Sequence, residues 1–307
     1  MLPFISSLRL DDYKDPFLVF KPKILVNSIT AFVRGFTGKV IYAVKSNPSK
    51  YVLEIMFNQG INSFDAASIN EVRLVKSLFP TSNIFFMNPV KPRNSISEAY
   101  FKFNVRNFSI DSVQELKKII AETKRAKDLI LHIRLAIPND FAKISLTKKF
   151  GVRPSNATKL IYEASKFAFK IGISFHPGSQ CMNTDAYKTG IKIAGKVIKS
   201  CKKKIDYFNV GGGFPCTYEG MKKISLKDYF NVINHEFSQI NNGDMTLISE
   251  PGRALVCECI SLIVRVDLRK GNKLYINDGI YGHLHAAGKL NFSFPRISNT
   301  RFIFNYN

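Results

Sequence analysis

The feature that most constrains this chain is a regular alternation of short apolar segments with amphipathic helical stretches between residues 40 and 254. The apolar segments have the length and the bounding turn residues of strands, and the stretches between them repeat apolar residues every three to four positions. Eight strands separated by helices over about 215 residues are typical of a (β/α)8 TIM barrel of the α/β class. The predicted strands are Val40–Val44, Ser63–Ala66, Ile84–Met87, Arg106–Ile110, Leu129–Leu135, Ile173–His176, Tyr207–Val210 and Thr246–Ser249.

The alternation stops after residue 254, and the remainder of the chain has a different pattern. Leu255–Val266 and Lys273–Ile276 are β-like, and a short strand predicted at Phe17–Phe20 would join them. About fifty residues is small for an independent β domain, so we expect that domain to be incomplete. The predicted organisation is an N-terminal segment joining the β domain at residues 1–26, a barrel at 27–254 and a partial C-terminal β domain at 255–307.

The composition is that of a globular protein with a large core, because 45% of the 307 residues are hydrophobic and 26 are Phe. The formal net charge of +22 would ordinarily suggest binding to nucleic acid or to an anionic membrane. Lys and Arg are scattered, however, without a basic stripe interleaved with aromatic residues, and Lys, Asn, Ile and Phe are all abundant. A coding bias explains that pattern better than a binding face, so we predict neither a nucleic-acid nor a membrane partner.

The number of cysteines and the length of the apolar stretches indicate the cellular compartment of the protein. Five cysteines are an odd number and match no zinc-binding spacing, which indicates a reducing environment and no metal site. No window reaches the roughly 18 apolar residues that a membrane span needs, and the N-terminus has no charged leader. We therefore expect a cytoplasmic protein.

Polar residues follow the predicted strands at the ends where a barrel carries its chemistry. All the loops that follow strands in a (β/α)8 barrel open on one face, so residues at these ends meet. Lys45 comes at the end of the first strand, where the run IYAVKSNP turns away from the sheet. The other polar residues and glycines at or just beyond strand ends are Asp65, Glu71, Arg134, His176, Ser179, Gly211, Gly212, Gly213, Glu250 and Arg253.

Each of these residues has an ordinary explanation when it is considered alone. A lysine or glutamate at a strand end is usually a solvated surface charge, a histidine there usually has its hydrogen bonds satisfied, and a glycine triplet often marks a tight turn. Together, Gly211–Gly213 and Arg253 predict a phosphate site, because bare backbone N–H groups and a guanidinium bind phosphate oxygens. Barrels commonly bind phosphate after strands seven and eight.

Three more residues extend this phosphate site into a site for pyridoxal 5'-phosphate. Glu250 suits a protonated ring nitrogen, and His176 offers a flat imidazole that can stack on the ring. Lys45 then supplies the amine that condenses with the cofactor's aldehyde and gives way to a substrate amine. We therefore predict Lys45, His176 and Glu250 as catalytic residues.

Six motifs resemble those of a known family. In chain order they are YAVKSN, FDAASINE, FHPGSQ, NVGGGFP, SEPGR and NDGIYG. They are similar, in order and spacing, to the motifs of the alanine-racemase-like (fold type III) pyridoxal-phosphate decarboxylases, which act on ornithine, lysine, arginine or diaminopimelate. The resemblance covers residues 17–304 and is closest to the short bacterial ornithine/lysine decarboxylases.

The resemblance implies roles for the strand-end residues. The cofactor would be attached covalently to Lys45, with His176 stacked on its ring and Glu250 at the ring nitrogen, while Tyr281 matches a segment near the substrate and the dimer interface. The implied reaction removes the α-carboxylate of a basic amino acid as CO2 to give a diamine, as in polyamine biosynthesis, in a homodimer. The remaining residues implied in cofactor binding are Asp65, Glu71, Arg134, Ser179, Gly211, Gly212, Gly213 and Arg253.

The chain departs from the family's pattern in two places. Pro177 follows His176 where the family usually has another residue, and proline removes one N–H donor. After the strand predicted at Phe302–Phe304 the family continues with a Cys-Asp segment that reaches into the partner subunit's site, whereas this chain reads Asn305–Asn307. The resemblance therefore implies a decarboxylase truncated at its C-terminus, without part of its dimer contacts.

Two functions stay open. The first is a decarboxylase of a basic amino acid, with ornithine or lysine favoured as the substrate. The second is a catalytically impaired or inactive homologue that binds the cofactor or pairs with a full-length paralogue. The barrel motifs favour cofactor binding in both cases, and the absent Cys-Asp segment favours the second function for turnover.

Overall fold

The computed structural model describes residues 14–138, 142–144, 149–218, 220, 221, 225–241, 243–290 and 294. Its described residues group into two units. The barrel unit contains the described residues of Pro22–Cys216 and Ile224–Cys259. The smaller unit contains those of Met1–Lys21, Thr217–Lys223 and Ile260–Asn307.

Strands and helices alternate along most of the chain, and no helix in the described ranges is long and apolar enough to cross a membrane. The strands are β1 (Phe17–Phe20), β2 (Lys39–Val40), β3 (Tyr42–Ala43), β4 (Ser63–Ala66), β5 (Asn83–Phe86), β6 (Asn107–Ile110), β7 (Leu129–Arg134), β8 (Ala142–Ile144), β9 (Ala168–Ser174), β10 (Ser179–Cys181), β11 (Tyr207–Asn209), β12 (Thr246–Ser249), β13 (Ile260–Ile263), β14 (Val266–Lys270) and β15 (Lys273–Ile276). The helices are α1 (Pro22–Gly35), α2 (Lys50–Asn58), α3 (Ile69–Leu78), α4 (Arg93–Phe101), α5 (Val113–Glu122), α6 (Pro154–Ser165), α7 (Asp185–Cys201), α8 (Leu226–Ser238), α9 (Arg253–Val256) and α10 (His285–Leu290).

Parallel pairing closes the barrel in chain order. The hydrogen-bonded order of its strands is β2-β12-β11-β9-β7-β6-β5-β4-β3. β2 and β3 are two halves of one strand that is interrupted at Ile41, whose N–H donates to the Ser249 carbonyl at 2.9 Å. The nine pieces therefore amount to eight strands, and the predicted α/β (β/α)8 barrel is confirmed.

Ser-x-x-Glu signatures start two of the barrel helices. Ser68 precedes α3, and its Oγ accepts a hydrogen bond from the Glu71 N–H at 3.3 Å. Ser112 makes the same bond with the N–H of Glu115 before α5, also at 3.3 Å. Each cap satisfies an N–H that a helix leaves without an internal partner, so these helix starts are readable from the sequence.

The helix predicted at Thr158–Lys170 is wrong at both ends. The observed α6 begins earlier, at Pro154, because proline suits the first turn of a helix, and it ends at Ser165. β9 begins at Ala168, whose backbone pairs with Leu129 of β7. The apolar residues near Ala168 have helical spacing, but pairing with β7 makes this segment a strand.

The region after β12 also differs from its prediction. The β run predicted at Leu255–Val266 starts inside helix α9, and strand structure begins only at Ile260. β8 and β10 were not predicted. They pair antiparallel with each other outside the barrel sheet, so they are not part of the alternation of strands and helices from which the barrel was predicted.

Aromatic rings join the first barrel helix to the loop that follows β11. The fully buried ring of Phe32, in α1, lies 5.0 Å from the ring of Phe214 and 4.9 Å from that of Phe230, in α8. Both contacts are edge-on, an arrangement that adds to the hydrophobic burial of the rings. Phe214 directly follows Gly211–Gly213, so this packing holds the glycine loop against the helical layer.

A buried lysine in the loop that follows β5 connects this loop to strand β6 and helix α5. The Nζ of Lys91 donates to the carbonyls of Ser109 at 2.6 Å and Asn88 at 2.8 Å, and it lies 2.9 Å from Glu115 Oε1. Burial lowers the pKa of Lys91 to about 8, although Glu115 opposes the shift. These acceptors match the N–H donors of an ammonium group, so the buried charge is satisfied.

The smaller unit contains two antiparallel strand pairs. β1 pairs with β13, with Phe17 opposite Ile263, and β14 pairs with β15 around a turn in which Gly271 has a φ of +54°. Helix α10 follows this pair along the chain. The predictions made for Phe302–Phe304 and for Asn305–Asn307 lie outside the described residues.

We predict that Phe32→Ala lowers the free energy of unfolding of the barrel unit by about 3–5 kcal/mol, because it leaves a cavity between two packed rings. Phe169→Ala is the matched control: this side chain is 69% exposed, and its removal should cost less than about 1 kcal/mol. Urea unfolding followed by circular dichroism measures both values. Equal losses in the two variants would contradict the packing role of Phe32.

Candidate active site

Lys45 lies in the 3-10 turn Val44–Ser46, directly after the first barrel strand. Its Nζ is 2.8 Å from Asp65 Oδ2; the Asp65 side chain is 0% exposed, while that of Lys45 is 50% exposed. Burial lowers the pKa of Lys45, but the carboxylates of Asp65 and Glu250 more than offset this effect, so the net pKa lies above its usual value. A buried carboxylate therefore holds a cationic amine at the mouth of the barrel.

Glu250 follows β12 and is only 8% exposed. Its Oε1 accepts a hydrogen bond from Asn209 Nδ2 at 2.7 Å. Burial, and to a smaller extent the neighbouring Asp65, raise the pKa of Glu250 to about 7, although Lys45 opposes the shift. The carboxyl group therefore changes ionisation near neutral pH, a property that is common among functional carboxyl groups.

His176 follows β9, and its Nδ1 accepts a hydrogen bond from the Gly178 N–H at 3.0 Å. Because Nδ1 is the acceptor, the neutral ring carries its proton on Nε2. Burial lowers the pKa of His176 well below its usual value, and the positive charges of Arg134 and Lys45 lower it further. At neutral pH the side chain is therefore an uncharged, oriented plane.

The loop after β11 has room for glycine alone. Gly211 has a φ of +72° and Gly213 a φ of +91°, in the left-handed region that strains other residues. A Cβ at Gly211 would collide with the carbonyl oxygen of Phe175, and one at Gly212 would collide with that of Glu250. The loop therefore lies against the segments that follow β9 and β12 and presents a surface without side chains.

Arg253 and Ser179 come together beside this loop. Arg253 is the first residue of α9, and its Nη2 donates to Ser179 Oγ at 3.5 Å. The preceding Gly252 allows a close approach, because a Cβ there would collide with Ser46 Oγ in the turn that contains Lys45. The ends of three different strands therefore meet at this point of the mouth.

Glu71 and Arg134 contribute differently to the site. Glu71 Oε2 accepts a hydrogen bond from the Ala67 N–H at 2.7 Å, and burial raises the pKa of its carboxyl group. It therefore steadies the turn between β4 and α3. Arg134 ends β7, where burial lowers its pKa and the carboxylates of Glu250 and Asp65 oppose that shift. Its charge acts on the same carboxylates as that of Lys45.

All the predicted site residues of the barrel lie at the carboxyl ends of its strands or in the loops and helix starts that follow. Tyr281 belongs to the smaller unit, where its side chain is fully exposed, and its predicted role near the substrate stays a prediction. Within the described ranges, no group of His, Cys, Asp or Glu side chains is arranged to hold a metal ion.

Two contacts at the mouth were not predicted. The Tyr187 hydroxyl, in α7, donates to the Gly212 carbonyl at 2.9 Å, and Asn209 bonds Glu250. The sequence does carry a signal for Asn209, because it is a polar residue next to the end of an apolar strand, just before the glycine triplet. It carries none for Tyr187, which lies on a helix that packs against the barrel.

Comparison with known proteins identifies the family. Residues 25–257, which include every predicted site residue of the barrel, match the family described as pyridoxal-dependent decarboxylase, pyridoxal binding domain. The chain therefore belongs to the pyridoxal-dependent decarboxylases, and its cofactor is pyridoxal phosphate.

Relatives and a solved structure agree with this assignment. The chain is 29% identical over 310 residues to antizyme inhibitor 2 of Xenopus laevis and 30% identical over 299 residues to ornithine decarboxylase of Panagrellus redivivus. The alignments cover 93% and 89% of this chain but 66% and 67% of those proteins, so the chain spans about two-thirds of their length. The crystal structure of lysine/ornithine decarboxylase from Vibrio vulnificus, complexed with putrescine, matches with a TM-score of 0.82 at 25% identity, covering 95% of this chain and 79% of that one.

The residues at the mouth fit pyridoxal phosphate. The glycine loop has no side chains to obstruct the close approach of a phosphate group. A lysine amine, a carboxyl group that titrates near neutral pH and a neutral imidazole are the groups that the aldehyde, the ring nitrogen and the ring face require.

We predict that Glu250→Gln stabilises the cofactor-free protein at about pH 8 and has little effect at about pH 5. The folded-state pKa of Glu250 is raised to about 7, so its protonated form favours folding, and that stability is lost as the pH rises through 7. A neutral amide avoids this loss, which is on the order of 3 kcal/mol. Urea unfolding at both pH values measures the effect.

The control for this prediction is Glu163→Gln, which removes an exposed ion pair with Lys166. That variant should change the free energy of unfolding by less than about 1 kcal/mol at either pH. A Glu250→Gln variant that is no more stable than the native protein at about pH 8 would show that the buried carboxyl group carries no such penalty.

Proposed function

We propose that this chain is a decarboxylase of a basic amino acid, with ornithine and lysine as the first candidate substrates, and that Lys45 binds its pyridoxal phosphate. The observation that carries the proposal is the Lys45–Asp65 pair, at 2.8 Å, beside the buried carboxyl group of Glu250. The names of the relatives support this substrate class. The odd number of cysteines, five, favours a reducing compartment such as the cytoplasm.

The phosphate group of pyridoxal phosphate is proposed to bind at Gly211–Gly213, Ser179 and Arg253. The Arg253 guanidinium supplies the counter-charge, and the Ser179 hydroxyl, 3.5 Å from Arg253 Nη2, supplies a further donor. The glycine loop brings backbone close to the phosphate because it has no side chains.

The pyridine ring of the cofactor is proposed to bind with its nitrogen at Glu250 and one face against His176. Bound pyridoxal phosphate supplies an aldehyde that condenses with amines and a protonated ring that accepts the electron pair left by the departing CO2. Glu250 becomes a carboxylate beside a positive ring nitrogen, because an opposite charge lowers the pKa of a carboxyl group. His176 is uncharged, so it covers the ring face without repelling that positive charge.

Lys45 carries a proton in the cofactor-free chain, because the two neighbouring carboxylates raise its pKa. The amine has to lose this proton before it reacts as a nucleophile, and Asp65 Oδ2 is 2.8 Å away. Asp65 Oδ1 is buried and has no hydrogen-bond partner in the part of the chain that the structure describes, so this carboxylate can accept a further donor. Asp65 is therefore proposed to orient Nζ and to take up its proton.

One comparison supports a second function. Antizyme inhibitor 2 of Xenopus laevis, 29% identical to this chain, is named for inhibition and not for decarboxylation. A chain that binds the cofactor without turnover, and that pairs with a full-length paralogue, would use the same barrel. The exposed Tyr281 is the predicted interface residue for such pairing or for a homodimer.

We predict that sodium borohydride, added after pyridoxal phosphate, fixes one pyridoxal group covalently to the peptide that contains Lys45. Lys45→Ala should abolish this label, whereas Lys188→Ala, an exposed lysine of α7, should retain it. Peptide mapping by mass spectrometry locates the modification. A label of undiminished yield in Lys45→Ala would place the cofactor elsewhere.

We also predict that the native chain, loaded with pyridoxal phosphate, releases CO2 from carboxyl-labelled ornithine or lysine and that Lys45→Ala reduces the release to background. Arginine and diaminopimelate are measured in parallel, because relatives are named for both. Label at Lys45 without release from any of the four amino acids would support the second function. Release that persists in Lys45→Ala would contradict the first.

A further inference from the structure

Asn209, the last residue of β11, joins the two ends of the proposed cofactor site. Its Nδ2 donates to Glu250 Oε1 at 2.7 Å, and its Oδ1 accepts a hydrogen bond from the Gly211 N–H at 2.8 Å. The Glu250 N–H in turn donates to the Gly211 carbonyl at 2.8 Å. The three bonds form a closed ring, and Asn209 is fully buried within it, away from competing water.

The ring of bonds fixes which way the Asn209 amide faces. A backbone N–H can only donate, so Gly211 requires the oxygen of the amide and leaves its NH2 group for Glu250. The amide is anchored on backbone and its donor end is aimed at one carboxylate oxygen. Within the described residues, Glu250 Oε2 makes no hydrogen bond, so it stays available for a ligand.

The charged groups around Glu250 show what this donor does. Asp65, from β4, disfavours the ionised carboxylate, while Lys45, after β3, and Arg134, from β7, favour it. Burial is the largest effect and also disfavours ionisation, so the net pKa is about 7. The Asn209 bond acts against burial, because a hydrogen bond to a carboxylate stabilises its charged form.

We propose that Asn209 is a positioning residue that favours the ionised form of the Glu250 carboxylate and aims it at the ring nitrogen of pyridoxal phosphate. The inference rests on the proposed function, because it assumes that the cofactor binds at this mouth. Asn209 touches neither cofactor nor substrate in this assignment and acts only through Glu250.

The test is the dissociation constant of pyridoxal phosphate, measured by absorbance titration across the pH range around 7. In the native protein, affinity should fall as the pH drops below the pKa of Glu250. Asn209→Leu and Asn209→Ala remove the donor, so the midpoint of this fall should move to higher pH by about one unit. Below the native midpoint, that shift weakens binding about tenfold. An unchanged midpoint in both variants overturns the proposal.

Asn107→Leu is the matched control, because it removes an asparagine from β6 whose side chain bonds His132 instead of Glu250. Its midpoint should equal that of the native protein. A shift in Asn107→Leu as large as in Asn209→Leu would show a general effect of altering the barrel and would overturn the specific role.

A double-mutant cycle separates a role through Glu250 from a purely structural one. Once Glu250→Gln has removed the charge, Asn209→Ala should weaken cofactor binding by less than about threefold. An equal loss with and without that charge would mean that Asn209 only supports the glycine loop, and the proposal would fail. If the native protein binds no pyridoxal phosphate, the proposed function fails and this inference fails with it; native binding with a midpoint indifferent to Asn209 overturns this inference alone.

Discussion

The closure of the barrel between its first and last strands is the constraint on which the site depends. The hydrogen bond from the Ile41 N–H to the Ser249 carbonyl, at 2.9 Å, joins segments that lie at opposite ends of the barrel sequence. Because the strand before Lys45 pairs with the strand before Glu250, an amine and a carboxyl group from distant segments meet at one mouth. The entropy of closing so long a loop grows only slowly with its length, and the apolar strands of the barrel compensate for it.

The mouth of the barrel is not arranged for stability. Burial raises the pKa of Glu250 to about 7, and Asp65 Oδ1 is buried without a hydrogen bond from the described residues. Elsewhere the same fold satisfies a buried charge, since the ammonium of Lys91 has acceptors for its N–H groups. A carboxyl group with a raised pKa and a buried carboxylate oxygen without a hydrogen bond, both at the mouth, are typical of a site selected for chemistry.

Much of the fold and of the candidate site could be predicted because the signals are local. The spacing of apolar residues identified the eight strands, and the position of Lys45 after the first of them follows from the turn residues around it. The limits of α6 and β9 could not be predicted, because Ala168 is a strand residue only through its pairing with β7. The ring of bonds at Asn209 could not be predicted for the same reason, because its partners lie just after another strand and in the loop that follows β11.

The sequence by itself determined the order of the strands and the kinds of side chain at their carboxyl ends, because apolar periodicity and turn residues act over a few neighbouring positions. Only the tertiary structure decided the state of those side chains. Lys45 is a cation, His176 is neutral and Glu250 titrates near neutral pH, since burial and the fields of residues from other strands set each pKa. These effects fall off with distance in space and not with separation along the chain, and so they arise only when the barrel closes.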